Sequence, residues 1–287
     1  DYTSLQLWGS GLPLQERLVR EVRLALAARS QFPWAAQVPW ELYENNVLPY
    51  AVVNEPRDEW REQFHHLFAP LVSPCKTGRE AALAIASLIQ KTLNVRYSTE
   101  RRVPHQGVKE SLQSGKVSCT GQSILLICAL RSVGIPARMA GVLTWNHVRG
   151  NHNWVEAWCD GEWKMLEYNE KDFNTPWVMS AISMLDPRKP ENAIYATSWK
   201  KEPSGAFFPM IWGHSSAVKL RFLPGAILAA IMAASIGKVP LPQKGSTRIL
   251  PAFQGVSSIS AAARFSAMGA FAVSLRYPLL CKDQTKV

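Results

Sequence analysis

Ser118-Cys119-Thr120-Gly121-Gln122-Ser123-Ile124-Leu125-Leu126-Ile127-Cys128-Ala129-Leu130, followed by Gly134-Ile135-Pro136, is the stretch on which the rest of the chain has to pack. Residues 124–130 are apolar on every face of a helix, which suits only a helix surrounded by protein. Ser118 fits the N-cap, where its hydroxyl can accept a backbone N–H of the first turn. Gly134 fits the position just past the helix end, and Pro136 forbids continuation. The first residue of this buried helix is then Cys119. The positive end of a helix favours a thiolate, and the free N–H groups there can hold a developing oxyanion. A cysteine is more often a small buried residue than a nucleophile, and Cys128 in the middle of the apolar run is that ordinary case.

The residues downstream shift the balance toward chemistry. Residues 137–144 read as a strand and 145–151 as a loop containing His147. From His152 to Trp158 apolar and polar residues alternate, and Asp160-Gly161 is a two-residue hairpin signal. If that turn sets the register, Trp158 opposes Trp163, Glu156 opposes Met165, Trp154 opposes Glu167 and His152 opposes Asn169. His152, Glu167 and Asn169 then share one face, with Glu167 diagonal to the histidine and Asn169 directly across, while Glu170 faces away. Thiol, imidazole and an orienting group are the parts of a cysteine nucleophile system. Either Glu167 or Asn169 can take the third place.

Upstream, residues 14–30 carry Leu14, Leu18, Val22 and Leu26 at intervals of four with Ala25 beside them, an amphipathic helix. Pro56 opens a further helix over 57–68. The adjacent pair His65-His66 on it points about 100° apart, which suits surface or packing roles and not a metal pair. Residues 81–93 form an alanine- and leucine-rich helix. Residues 95–97 form a short strand, and 98–117 are polar loop with a helical turn at 109–113.

The formal net charge of +10 is unevenly spread. Residues 214–287 hold nine Lys or Arg and one acid, Asp283, whereas 1–213 hold 23 basic and 21 acidic side chains. The basic character therefore belongs to the tail, has few aromatic residues or motifs beside it, and implies no nucleic-acid partner. Within the tail, 222–237 is uncharged but broken by Pro224-Gly225 and shorter than the roughly 20 residues a spanning helix needs. Its basic flanks leave association with a membrane surface open. The five cysteines, Cys75, Cys119, Cys128, Cys159 and Cys281, include no Cys-x-x-Cys, and the six histidines are scattered, so neither a metal nor a cofactor is expected.

The motifs S-C-T-G-Q-S…G-I-P-A-R, H-N-W-V-E-x-W and G-E-W-K-M-L-E together resemble the transglutaminase-like core of the papain-like cysteine-enzyme superfamily. Residues 48–60 (LPYAVVNEPRDEW) and 193–199 (AIYATSW) are similar to bacterial-type members with a helical N-terminal extension, and the likeness spans about 14–212. The resemblance implies an α+β papain-like fold with the Cys-bearing helix packed on an antiparallel sheet. Its expected divisions are a helical region at 1–98 packing on the core, a catalytic core at 99–213, and a basic tail at 214–287 that is no part of the core. Cys119 matches the family nucleophile and His152 its base. Glu167 falls where an aspartate is usual, and the extra methylene leaves Asn169 as a competing orienter. Gln106, thirteen residues before Cys119, is a candidate oxyanion donor by analogy, with a solvated loop glutamine as the alternative. The activity implied is acyl transfer or hydrolysis on protein or peptide amides. The alternative is a catalytically silent module of the same fold that binds peptide or scaffolds an assembly.

Overall fold

The computed structural model describes residues 14–186, 189–200 and 272–273. Helices α1 (Leu14–Gln31), α2 (Pro33–Ala36), α3 (Trp40–Asn46), α4 (Arg61–Val72) and α5 (Gly78–Leu93) come first. Strand β1 (Arg96–Tyr97), helix α6 (Val108–Ser114) and strand β2 (Lys116–Val117) lead into α7 (Cys119–Ser132). Strands β3 (Ala137–Val142), β4 (His152–Cys159) and β5 (Glu162–Leu166) follow, then α8 (Pro176–Ser183), a 3₁₀ turn at Pro190–Asn192, β6 (Ile194–Ser198) and β7 (Ala272–Val273). The main sheet is antiparallel in the order β5-β4-β3-β6-β7, while β1 and β2 pair in parallel as a separate ribbon.

Helix α7 forms as its sequence requires. Ser118 Oγ accepts the N–H of Gly121 (3.1 Å) and donates to the carbonyl of Pro104, so the cap also ties down the polar loop before it. Gly121 is obligatory, because a Cβ there would lie 2.7 Å from Cβ of Val117 on β2. At the far end Gly134 takes a left-handed φ of +76°, which closes the helix and lets Ala35 come close. Between the two ends every side chain from Ile124 to Leu130 is fully buried. Each buried Leu or Ile contributes roughly 1.5–3 kcal/mol to burial of this helix. One continuous apolar core runs from Ala28 on α1 through α4, α5 and α7 to Tyr195 on β6. The opposite face of the sheet is closed by α8, whose Val178 packs with Ala140, Val142, Trp154 and Met165.

The helix at the chain's start is present, but its inward face is not the leucine and valine stripe. Val22 and Leu26 are exposed, and the buried side is Arg17, Glu21, Ala25 and Ala28. Two ion pairs turn it: the buried Arg17 Nε lies 2.7 Å from the exposed Glu59, and Arg61 Nε donates to Glu21 at 2.8 Å in a pair buried on both sides. Charge pairing with Glu59 and with Arg61 at the start of α4 thus outweighs exposure of two aliphatic side chains. Helix α4 also begins later than Pro56 suggested. Arg57 is drawn into the core, donating to the carbonyls of Glu55 (2.8 Å) and Val53 (3.0 Å), and this pins the chain in a loop until Trp60. Around the same loop Arg61 and Arg131 donate to the carbonyls of residues 47–51, and Arg131 also bonds Ala137 at the start of β3. The NEPR segment is therefore a backbone knot held by buried arginines, and it anchors the rear of α7.

The hairpin turn falls at Asp160-Gly161, with φ of +56° and +83°. Its register is Cys159 with Glu162, Trp158 with Trp163, Glu156 with Met165 and Val155 with Leu166. The expected ladder holds up to Leu166. Beyond it Asn169 turns left-handed (φ +66°) and the chain leaves the sheet, so Asn169 does not come to lie opposite His152. The 222–237 run, Cys281 and almost all of the basic tail lie outside the described residues. Among the described residues no helix is long and apolar enough to cross a membrane.

Candidate active site

The site forms where the first turn of α7 meets the first residues of β4. Asn153 joins them. Its Nδ2 donates to Thr120 Oγ1 at 2.9 Å, and its Oδ1 accepts from Ser123 Oγ at 3.3 Å. Thr120, Ser123 and Asn153 are all buried, so the three polar groups satisfy one another out of water. Because Cys119 precedes Thr120 and His152 precedes Asn153, this clip sets the thiol against the imidazole. Sequence reasoning did not single out Asn153. The available signal was an amide on the inward-facing side of a strand whose next inward positions, Val155 and Ala157, are apolar.

Cys119 and His152 are hydrogen-bonded through their side chains. His152 Nε2 lies 2.6 Å from Glu167 Oε1, which leaves Nδ1 for the sulfur. Both residues of this second pair are largely buried, with side-chain exposures of 17% and 13%. Burial alone pulls the imidazolium down, but the bonds to Cys119 and Glu167 and their negative charge prevail, and the His152 pKa rises to about 9. For Cys119 burial pushes the thiol up. The hydrogen bond and charge of His152, with the backbone N–H groups of Asn153 and Thr120, reverse that and hold it below its usual value. Both shifts run in the direction of a thiolate–imidazolium pair.

Three tryptophans surround the imidazole, with ring centroids at 4.9 Å (Trp177), 6.1 Å (Trp154) and 6.4 Å (Trp145). Trp154 belongs to the core, whereas Trp177 on α8 is half exposed and forms the outer wall. Aromatic faces stabilise a neighbouring cation and keep water from the His152–Glu167 bond.

The structure brings Cys119, His152 and Glu167 together and leaves out the other two candidates. Asn169, in its left-handed turn, lines a separate cavity, and both His152 nitrogens already have partners. Gln106 is no solvated loop residue, being 1% exposed, yet it serves the loop and not the sulfur. With its amide oxygen accepting from Ser114 Oγ (3.3 Å), the nitrogen donates to the carbonyls of Val103 and Lys116 (3.2 Å each), which uses both amide hydrogens. His65 Nδ1 lies 2.9 Å from the carbonyl of Ser132 and packs on Phe32, a structural role. Among the described residues no group of three or more His, Cys, Asp or Glu is placed to hold a metal ion.

The fold is mixed, with a cysteine at the head of a buried helix and a histidine on the adjoining antiparallel sheet. Residues 65–168 match the family model of the transglutaminase-like superfamily. That span takes in α4 from His65 onward, α5, α7 and the hairpin as far as Tyr168, and so all three site residues. A solved structure described as "a Putative Cysteine Protease from Cytophaga hutchinsonii" is similar at 17% identity and a TM-score of 0.37. The similarity covers 50% of this chain and 47% of that one, so the match spans about half the length of that protein. No curated protein matches the chain.

Proposed function

We propose that the protein is a cysteine-nucleophile enzyme that transfers the acyl group of protein or peptide amides to water or to an amine. The observation that carries this reading is the hydrogen-bonded line Cys119–His152–Glu167, closed by the 2.6 Å contact of Nε2 with Oε1. The family match supports the same class of chemistry.

In this mechanism Sγ of Cys119 attacks the amide carbonyl carbon, and the C=O electron pair moves onto oxygen. Backbone N–H groups at the start of α7 face the developing oxyanion. The C–N bond then breaks as His152 gives its proton to the departing amine, which leaves a thioester on Cys119. Water or a second amine, losing its proton to His152, attacks the thioester, and Cys119 leaves as thiolate. Glu167 keeps the ring oriented and its positive charge stabilised at both proton transfers.

The test is turnover of glutamine-bearing peptides with and without a primary amine, read by ammonia release and by mass of the products. Wild-type protein should release ammonia, and Cys119→Ala should lower the rate by at least about a thousandfold. Ammonia release that survives Cys119→Ala, or no turnover alongside a thiol of ordinary reactivity, would leave the chain a silent peptide-binding module.

A further inference from the structure

A cavity of about 540 Å³ opens beside the β1–β2 ribbon, lined among others by Lys91, Asn94, Arg96, Gly115, Lys116 and Asn169. The nine residues lining it include three cations and no acid. Lys116 is ion-paired with Glu100 at its outer edge, but Lys91 and Arg96 make no ion pair among the described residues. Both are solvent-exposed, and the charge of Arg96 is also felt by Glu100 at that edge. Three of the lining residues, Asn94, Gly115 and Asn169, have left-handed backbone (φ +53°, +64° and +66°). This curls three separate turns around one hollow.

The cavity is separate from the active site, but two of its lining residues are close to site residues along the chain. Lys116 stands three residues before Cys119, and Asn169 two residues after Glu167. At the ~3.3–3.6 Å per residue of extended chain, these links are no longer than about 11 Å and about 7 Å. These links limit how far the cavity wall at Lys116 and Asn169 can stand from Cys119 and Glu167. Nothing in the proposed acyl transfer uses these cations, and the net charge of residues 1–213 is almost balanced, so a concentration of three here is not a general surface property.

We infer that this basic cavity is a substrate subsite that receives a carboxylate of the peptide whose amide is presented to Cys119. The inference rests on the proposed acyl transfer for its substrate class, but the cavity's preference for a carboxylate can be measured without turnover. Two exposed cations facing a carboxylate across partly enclosed space favour it modestly and lose that preference with salt.

The experiment uses full-length protein with Cys119→Ser, so that binding is read with no covalent step, and rhodamine-labelled peptides followed by fluorescence polarisation. One peptide, Gly-Glu-Gly-Gly-Gln-Gly-Gly-Glu-Gly with an amidated C-terminus, carries carboxylates three residues to either side of the target glutamine. A second replaces both glutamates by glutamine, and a third is that neutral peptide with a free terminal carboxylate. The glutamate peptide should bind at least about fivefold more tightly than the neutral amide at low salt. The double change Lys91→Gln/Arg96→Gln should abolish the difference while leaving the melting temperature unchanged. A preference for the third peptide alone would assign the subsite to a terminal carboxylate, and one for the first to a side chain. Acidic peptides that both bind no better than the neutral amide, or an acid preference that survives the double change, overturns the subsite. Failure of the acyl-transfer reading appears separately, as absent turnover in the protein with Cys119 intact.

Discussion

Two cysteines stand nine residues apart on one helix, and the structure treats them in opposite ways. Cys128 is fully buried among Leu and Ile of α7, and burial drives its thiol well above the usual range. Cys119 is only partly covered, and although burial pushes it in the same direction, His152 and two backbone N–H groups bring it below that range. Sequence neighbourhood and secondary structure are shared, so neither explains the difference. The distance between them along the axis is about 13 Å, enough to pass from an apolar interior to a helix start that meets a charged strand end. What separates the two thiols here is the partner that β4 delivers to Cys119.

Removing that partner should have the largest effect on the comparison. A free thiol near pKa ~8.5 is about 0.3% thiolate at pH 6. Limiting iodoacetamide at that pH should label Cys119 first in wild-type protein, and His152→Ala should slow the labelling about a hundredfold. Cys128 should stay unlabelled in both. Labelling of the described cysteines Cys75, Cys119, Cys128 and Cys159 in order of exposure alone, with no response to His152→Ala, would erase the distinction.

Much of this was legible in the residues. The cap at Ser118, the stop at Gly134 and the turn at Asp160-Gly161 are local signals, each fixed by one or two residues, and each is where the sequence placed it. The hairpin turn also carried the register far enough to bring Glu167 toward His152. What the sequence could not convey is non-local. Asn169 left the ladder because the strand ended at Leu166, and period-two alternation does not say where a strand stops. The inward face of α1 was misjudged because the charges that claim it, Glu59 and Arg61, lie some forty residues away. The Asn153 clip needed the helix and the strand in contact before it had any meaning.

Glu167 sharpens the comparison at the level of the imidazole. It lifts the His152 pKa, so replacing it should lower that pKa, and the sign of the effect on rate follows from the role of the proton. Turnover requires His152 protonated to expel the amine. The wild-type rate should therefore fall as pH rises through about 9, where the imidazolium is lost. In Glu167→Gln the ring loses a neighbouring negative charge while keeping a hydrogen-bond partner. Its alkaline limb should move down by about one pH unit or more, with the rate near neutrality reduced about tenfold. Asp172→Asn, an exposed carboxylate a few residues on, should change neither. An alkaline limb that stays in place in Glu167→Gln would show that the carboxylate orients the ring without setting its charge.

The smallest effect concerns stability, and there the two cysteines should exchange importance. Cys128 fills space in a fully enclosed part of the core, so Cys128→Ala leaves a void the helix cannot close and should cost about 1 kcal/mol in denaturant unfolding. Its labelling pattern and turnover should match wild type, since its sulfur touches none of the site. Cys119 lies partly in solvent, and burial disfavours charge on its sulfur. Cys119→Ala should therefore change stability by less than about 0.5 kcal/mol, or raise it, while abolishing turnover. Unfolding curves at neutral pH for the two variants, measured beside wild type, decide the matter. A Cys119→Ala protein that loses as much stability as Cys128→Ala would mean that the thiolate–imidazolium pair helps hold α7 against β4, and the Asn153 clip would then be insufficient to do so alone.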